Sequence, residues 1–212
     1  MFVCPTVTAN DMHEYRAQVE RVQGFATRIH FDFMDGVFAP TKSPALSHAW
    51  WPPNVKVDLH VMYKYPLDET DTILHLKPQL VIVHAEAEGN FVQFARELHA
   101  HKISVGIALL QDTEPEVIRP ALKVIDHVLI FSGKLGYHGG VADMSQLSKI
   151  QLLRRWKKTL EIGWDGGVTP ENAKLLIDGG VDVLNVGGSI QKNDDPGGVY
   201  ATLKSIITST GK

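Results

Sequence analysis

Short apolar runs recur along the chain at the spacing of one strand plus one returning helix. They read "FVCPTV" from residue 2, "RIHFDFM" from 28, "VKVDLHVM" from 55 and "LVIVHAE" from 80. "ISVGIAL" from 103, "HVLIF" from 127, "LEIGWDGG" from 160 and "VDVLNVGGS" from 181 complete the set. The intervals carry mostly helical text. "NDMHEYRAQVERVQG" opens with capping residues and stops at Gly24, and "NFVQFARELHAH" follows Asn90. "TPENAKLLIDGG" offers Thr169 as N-cap, Pro170 in the first turn and a glycine stop. Strict alternation predicts a parallel sheet, and eight units predict a closed (β/α)8 TIM barrel, somewhat short for the class. The rival is an open doubly wound sheet, which usually carries a Gly-rich turn after its first strand when it binds a dinucleotide. Here that turn reads "TVTAND", without glycine. No Gly/Ser linker divides the chain, so residues 1–212 are expected to form one barrel domain.

Within "HFDFMDG", residues 30 to 36, His30, Asp32 and Met34 share one strand face while Phe31 and Phe33 share the other. In a closed barrel the polar face points inward and the aromatics pack against helices. "DLHVM" repeats the pattern with Asp58, His60 and Met62, and strand seven ends in Asp165. His30, Asp32, His60 and Asp165 therefore fall near the C-terminal strand ends, where barrel active sites form. Alone, each has a duller explanation as a core histidine or turn aspartate; together they predict a metal site. Two imidazoles and two carboxylates without a thiolate suit one divalent ion, Zn2+ first, with Mn2+, Fe2+ or Co2+ as alternatives. Asp35 and Asp58 are expected to support these ligands or to cap helices. His84, at the end of strand four, reads equally as pocket lining or as a structural residue, and His13, His99 and His101 read as solvated. Glycine amides suit phosphate capture at the ends of strands seven and eight, through Gly166, Gly167, Gly188 and Ser189. Gly139 and Gly140 belong to a loop after strand six that reads as a mobile cover.

A formal charge of -3 without a basic stretch argues against a nucleic-acid partner. The single cysteine, Cys4, excludes an internal disulfide, reads as a small hydrophobe in the first strand and fits a reducing compartment. The N-terminus lacks the pattern of a signal peptide and no segment is apolar enough to span a bilayer, so a cytoplasmic protein without membrane contact is expected. "HAWWPP", residues 48 to 53, is a compact aromatic patch that reads as an interface or as the cover of a helix end.

These features resemble the ribulose-phosphate 3-epimerase family over nearly the whole chain. The resemblance is carried by "PTVTAND", "HFDFMDGVFAP", "DLHVM", "VHAE", "WDGGVTPENA" and "VGGSI". It implies a ribulose-phosphate-binding type of barrel, one divalent ion held by His30, Asp32, His60 and Asp165, and a phosphorylated ketose substrate. It further implies that Asp32 and Asp165 act as acid and base on opposite faces of C3, with passage through a cis-enediolate. Thr6, Met34, Met62, His84 and the glycine set would then contact substrate, and a homo-oligomer is expected. D-ribulose 5-phosphate is the first substrate this suggests, and a ketohexose 6-phosphate such as allulose 6-phosphate the second. The sequence departs from the family text at Thr6 (serine in the family), Phe131 (methionine), Thr41 after Pro40, "LLQDT" after strand five and the longer strand-six loop. Two other classes compete with this reading: a Schiff-base aldolase using Lys134, and a non-catalytic phosphosugar-binding barrel.

Overall fold

Each strand passes between two dry environments, as β2 shows, with all seven of its residues buried. The computed structural model describes residues 1–137 and 139–210. Its strands are β1 (Phe2–Thr8), β2 (Arg28–Met34), β3 (Lys56–Met62), β4 (Leu80–His84), β5 (Ser104–Leu109), β6 (His127–Phe131), β7 (Glu161–Asp165) and β8 (Val183–Val186). All pair in parallel and in sequence order, and β8 closes on β1, which is the predicted barrel. Alternate residues such as Val7, Phe31, Leu59 and Trp164 face outward into one large apolar layer beneath the helices.

The helices are α1 (Met12–Val22), α2 (Thr70–Leu76), α3 (Phe91–Ala100), α4 (Leu147–Trp156), α5 (Pro170–Asp178), α6 (Gly188–Gln191) and α7 (Pro196–Thr210). Their starts follow local chemistry. The Asp11 carboxylate accepts from the Glu14 amide at 2.8 Å, and Asn90 caps α3 through the Gln93 amide. Thr169 and Asn172 form a reciprocal capping box on α5, which Pro170 opens and Gly179 ends.

Two crossovers lack an α-helix. β5 returns through a 3-10 turn at Pro115–Ala121 that contains Pro120, and β2 returns through a longer connection whose only helical piece is Leu46–His48. Prolines 40, 44, 52 and 53 break up the second connection. The aromatic patch takes the place of the missing helix. Trp50 meets Tyr15 edge-on with ring centres 5.9 Å apart, Trp51 lies 6.0 Å from Phe31, and the Tyr15 hydroxyl donates to the Trp50 carbonyl. The patch thus covers both the first turn of α1, through Tyr15, and the outer face of β2, through Phe31.

Inside the barrel the lower end is polar. Arg28 donates through Nε to both oxygens of Asp58, at 3.0 and 2.8 Å, and through its two terminal nitrogens to Glu161, at 2.9 and 2.8 Å. His127 Nδ1 lies 2.9 Å from Glu161. Asp58 therefore neither supports the predicted ligands nor caps a helix; it anchors the opposite end of the barrel. The His127 ring fits because Gly163 has no side chain: a Cβ there would lie 2.6 Å from Nε2. Above this network Leu80, Ile82, Ala108 and Leu129 form an apolar plug on one side of the interior. Cys4 is buried in β1, as a small hydrophobe would be, and burial pushes its thiol pKa up. Among the described residues no helix is long and apolar enough to cross a membrane.

Removing the guanidinium would strand a carboxylate that is only 1% exposed. Arg28→Met is expected to lower unfolding free energy by about 3–5 kcal/mol, read from urea midpoints, with partial recovery when Asp58→Asn is added.

Candidate active site

Parallel register builds the upper end. Asp32 stands opposite Thr8 on β1 and His60 on β3, and His30 precedes Asp32 by two residues on the same inward face. Asp32 Oδ1 lies 2.9 Å from His60 Nδ1 and 3.2 Å from His30 Nε2. Each of these nitrogens is also 3.9 Å from Asp165 Oδ2. The four residues are buried, and one ligand atom from each falls within 4.8 Å of the others.

Neither nitrogen of His30 has a hydrogen-bond partner, because its contact with Asp32 lacks hydrogen-bond geometry. An imidazole without partners, facing two crowded carboxylates, is the arrangement a cation resolves. Two nitrogens and two carboxylate oxygens fit a borderline divalent ion. The surroundings hold the set in place. His60 Nε2 sits 2.9 Å from His84 Nε2, His84 Nδ1 is 3.5 Å from Glu86, and the Thr8 hydroxyl donates to Asp32 Oδ2. Such outer contacts fix the orientation of ligating side chains.

The two aspartates differ in charge state. Burial pushes against ionisation of Asp32, but the adjacent His30 and His60 imidazoles outweigh it and hold the carboxyl far below the usual range. Burial, reinforced by the Asp32 charge, pushes Asp165 up to about 7. Burial pulls His60 down to about 4; for His30 it acts in the same direction, yet Asp32 and Asp165 win and the pKa rises.

Above the aspartates opens a cavity of about 330 Å3. Thr6, Met62, Gly139, Gly140, Gly166, Gly167, Gly188 and Ser189 line it together with Asp32 and Asp165. Met34 and His84 stand outside that lining. Met34 is buried against Ala39 and Met62, with the Thr41 hydroxyl 3.0 Å from its sulfur, and His84 stands behind His60. Asp35 ties two loops, accepting from the amides of Val37 and Phe38 with one oxygen and of Lys64 with the other. Lys134 is exposed, its Nζ 4.5 Å from the centre of the Tyr137 ring, and lies off the lining.

The glycines let backbones touch. Gly166, with φ +110°, would place a Cβ 2.1 Å from the Gly133 amide nitrogen, and Gly167, with φ +69°, would place one 2.2 Å from that of Ala142. The loops after β6 and β7 therefore meet main chain to main chain, and amides of this kind make anion-binding concavities. Thr41 donates to the Gly136 carbonyl at 2.7 Å and fastens the loop after β2 to the loop after β6.

Several lining residues escaped the sequence reading, among them Thr8, Asn185 and Lys192. Period two signals the first two, since Thr8 shares a face with Thr6 and Asn185 alternates with the outward Leu184 and Val186. Lys192 follows a four-residue helix and has no periodic signal.

The model of the "Ribulose-phosphate 3 epimerase family" matches residues 2–191. A ribulose-phosphate 3-epimerase of Bacillus subtilis is 29% identical over 202 residues, covering 91% of this chain and 93% of its own. One of Helicobacter pylori is 29% identical over 202 residues, covering 92% and 93%. In structure, 3-hexulose-6-phosphate synthase from Salmonella typhimurium superposes with a TM-score of 0.67 at 15% identity, covering 99% of this chain and all of the other, a likeness of fold alone. With a matching family model over most of its length and an inward histidine–aspartate set in a closed eight-stranded barrel, the chain belongs to the ribulose-phosphate 3-epimerase family.

Proposed function

We propose that this chain is a metal-dependent epimerase that inverts C3 of a ketose phosphate, D-ribulose 5-phosphate to D-xylulose 5-phosphate. The observation that carries the reading is the meeting of His30, Asp32, His60 and Asp165 beneath a glycine-walled cavity. The family and its named relatives support the substrate class.

Inversion beside a ketone needs a proton removed from one face of C3 and another delivered to the opposite face. A single base would mostly return the proton to where it came from. Asp32 and Asp165 reach the same cavity from separate strands, and their environments give them opposite starting states. Without a cation the imidazoles favour an ionised Asp32 while burial favours the proton on Asp165, so the two carboxyls differ in how readily each takes and gives up a proton. Positioned acid–base groups contribute about 10²–10⁴-fold each. The ion held by the four side chains, Zn2+ first, would supply Lewis-acid stabilisation of the cis-enediolate charge. Thr6 and Met62 would border the sugar, and amides of Gly139, Gly140, Gly166, Gly167, Gly188 and Ser189 would hold the phosphate. Met34 and His84 take supporting roles in this reading, Met34 beneath Met62 and His84 behind His60. An aldolase has no support in the placement of Lys134, since a Schiff-base lysine sits in a desolvated pocket. A ketohexose 6-phosphate is the second substrate, because most of the departures from the family text lie in the covering loops. A cytoplasmic location is proposed on a rice relative named as the cytoplasmic isoform.

In D2O the chain is expected to wash deuterium into C3 of ribulose 5-phosphate, followed by NMR. Asp32→Asn and Asp165→Asn should each lower inversion by at least about 10³-fold, within the range for loss of a positioned acid or base. Full activity in either variant sinks the two-base mechanism.

A chelator is expected to suppress inversion, and added Zn2+ to restore it; an unaffected, rigorously metal-free preparation refutes the metal requirement. Binding must also displace the proton that Asp165 holds up to about 7. Affinity for Zn2+ therefore weakens as pH falls below that value, by at least about tenfold between pH 8 and pH 6 in calorimetry, since His30, whose pKa is raised, must lose its proton too.

A further inference from the structure

One lining side chain has no role in the chemistry just described. Asn185 is 2% exposed, borders the cavity, and its Oδ1 is buried without a hydrogen-bond partner. Thr6 Oγ1, on the adjoining strand, is in the same condition. Leaving a buried polar atom unsatisfied costs about 1–3 kcal/mol, so two such atoms on one wall point to a ligand that satisfies them.

Position says which part of a ligand they meet. Asn185 stands in register with Asp165 on β7 and with Cys4 on β1, and Thr6 lies two residues beyond Cys4 on the same face. Along β8 the chain runs from Asn185 through Val186 directly to Gly187, Gly188 and Ser189, which border the same cavity. A ketose phosphate whose phosphate rests on those amides and whose reacting carbon reaches Asp165 must pass Asn185 between them. In a pentulose 5-phosphate that intervening stretch is C4 and C5, and the only free hydroxyl on it is at C4.

We infer that Asn185 is a specificity residue whose side-chain oxygen accepts a hydrogen bond from the C4 hydroxyl, with Thr6 beside it. The inference rests on the phosphosugar reading above and adds to it the group that reads the carbon next to the inverted centre. A wall built to bond a hydroxyl discriminates strongly against a substrate that lacks it, because its own polar atoms are then left unpaired.

The probe is a pentitol 5-phosphate, which cannot be epimerised, compared with its 4-deoxy counterpart by calorimetry on the full chain. The wild-type chain is expected to prefer the hydroxylated compound by about 5- to 150-fold, the equivalent of one unsatisfied buried group. Asn185→Leu should abolish that preference by weakening only the hydroxylated compound. Asn185→Ser, shorter but polar, should keep part of it and serves if the leucine variant does not fold. Equal weakening of both compounds would make Asn185 a support for Asp165, and that overturns the assignment. No preference in the wild-type chain, or no binding of either compound, overturns it as well. Failure of the wild-type chain to exchange hydrogen at C3 would sink the epimerase reading alone, since the two affinities still report on Asn185.

Discussion

Two carboxylates buried a few ångströms apart cannot both stay ionised unless positive charge comes between them or beside them. Asp32 and Asp165 meet this constraint in the upper barrel, and much of the surrounding structure answers it. His30 and His60 supply the nitrogens, His84 and Glu86 stand behind His60, and Thr8 holds the far oxygen of Asp32. The same crowding that would destabilise an ordinary core separates the protonation states of the two acids. Affinity for a cation and asymmetry between acid and base thus come from one electrostatic conflict.

The barrel keeps this conflict at one end. At its other end Arg28 answers Asp58 and Glu161 with direct, well-formed hydrogen bonds and calls for no ion. Between the ends, the inner faces of β4, β5 and β6 contribute Leu80, Ile82, Ala108 and Leu129, which separate the two polar groups on that side with hydrocarbon. One interior therefore holds a network whose charges are paired directly and a set whose carboxylates are crowded together. The crowded set faces the cavity.

Legibility in the sequence tracked how local the determining physics was. Strands were readable because burial on both faces shows as short, nearly continuous apolar runs, and α1, α3 and α5 because their caps lie within a few residues of their starts. The four inward candidate ligands were readable too, since His30 and Asp32 share a strand face and the barrel topology carries them to His60 and Asp165. Asp58 misled because alternation gives the face a residue occupies but not its height along the barrel, and height decides between the ion site and the Arg28 network. His84 and Met34 show the same limit in depth: each is inward, yet each has another side chain between it and the cavity. The missing helix after β2 was hidden because Trp50 and Trp51 replace it by contacts with Tyr15 and Phe31, residues distant in sequence.

The interlocked glycines after β6 and β7 carry a consequence for how such a barrel can diversify. With Gly166 against Gly133 and Gly167 against Ala142, neither glycine has room for a side chain while the facing loop keeps its path. Thr41 binds a third loop to the same assembly through Gly136. New ligand preferences on this scaffold would have to arise by replacing the three segments as a single cassette, or by exchanging side chains on the strands below while the rim stays as it is.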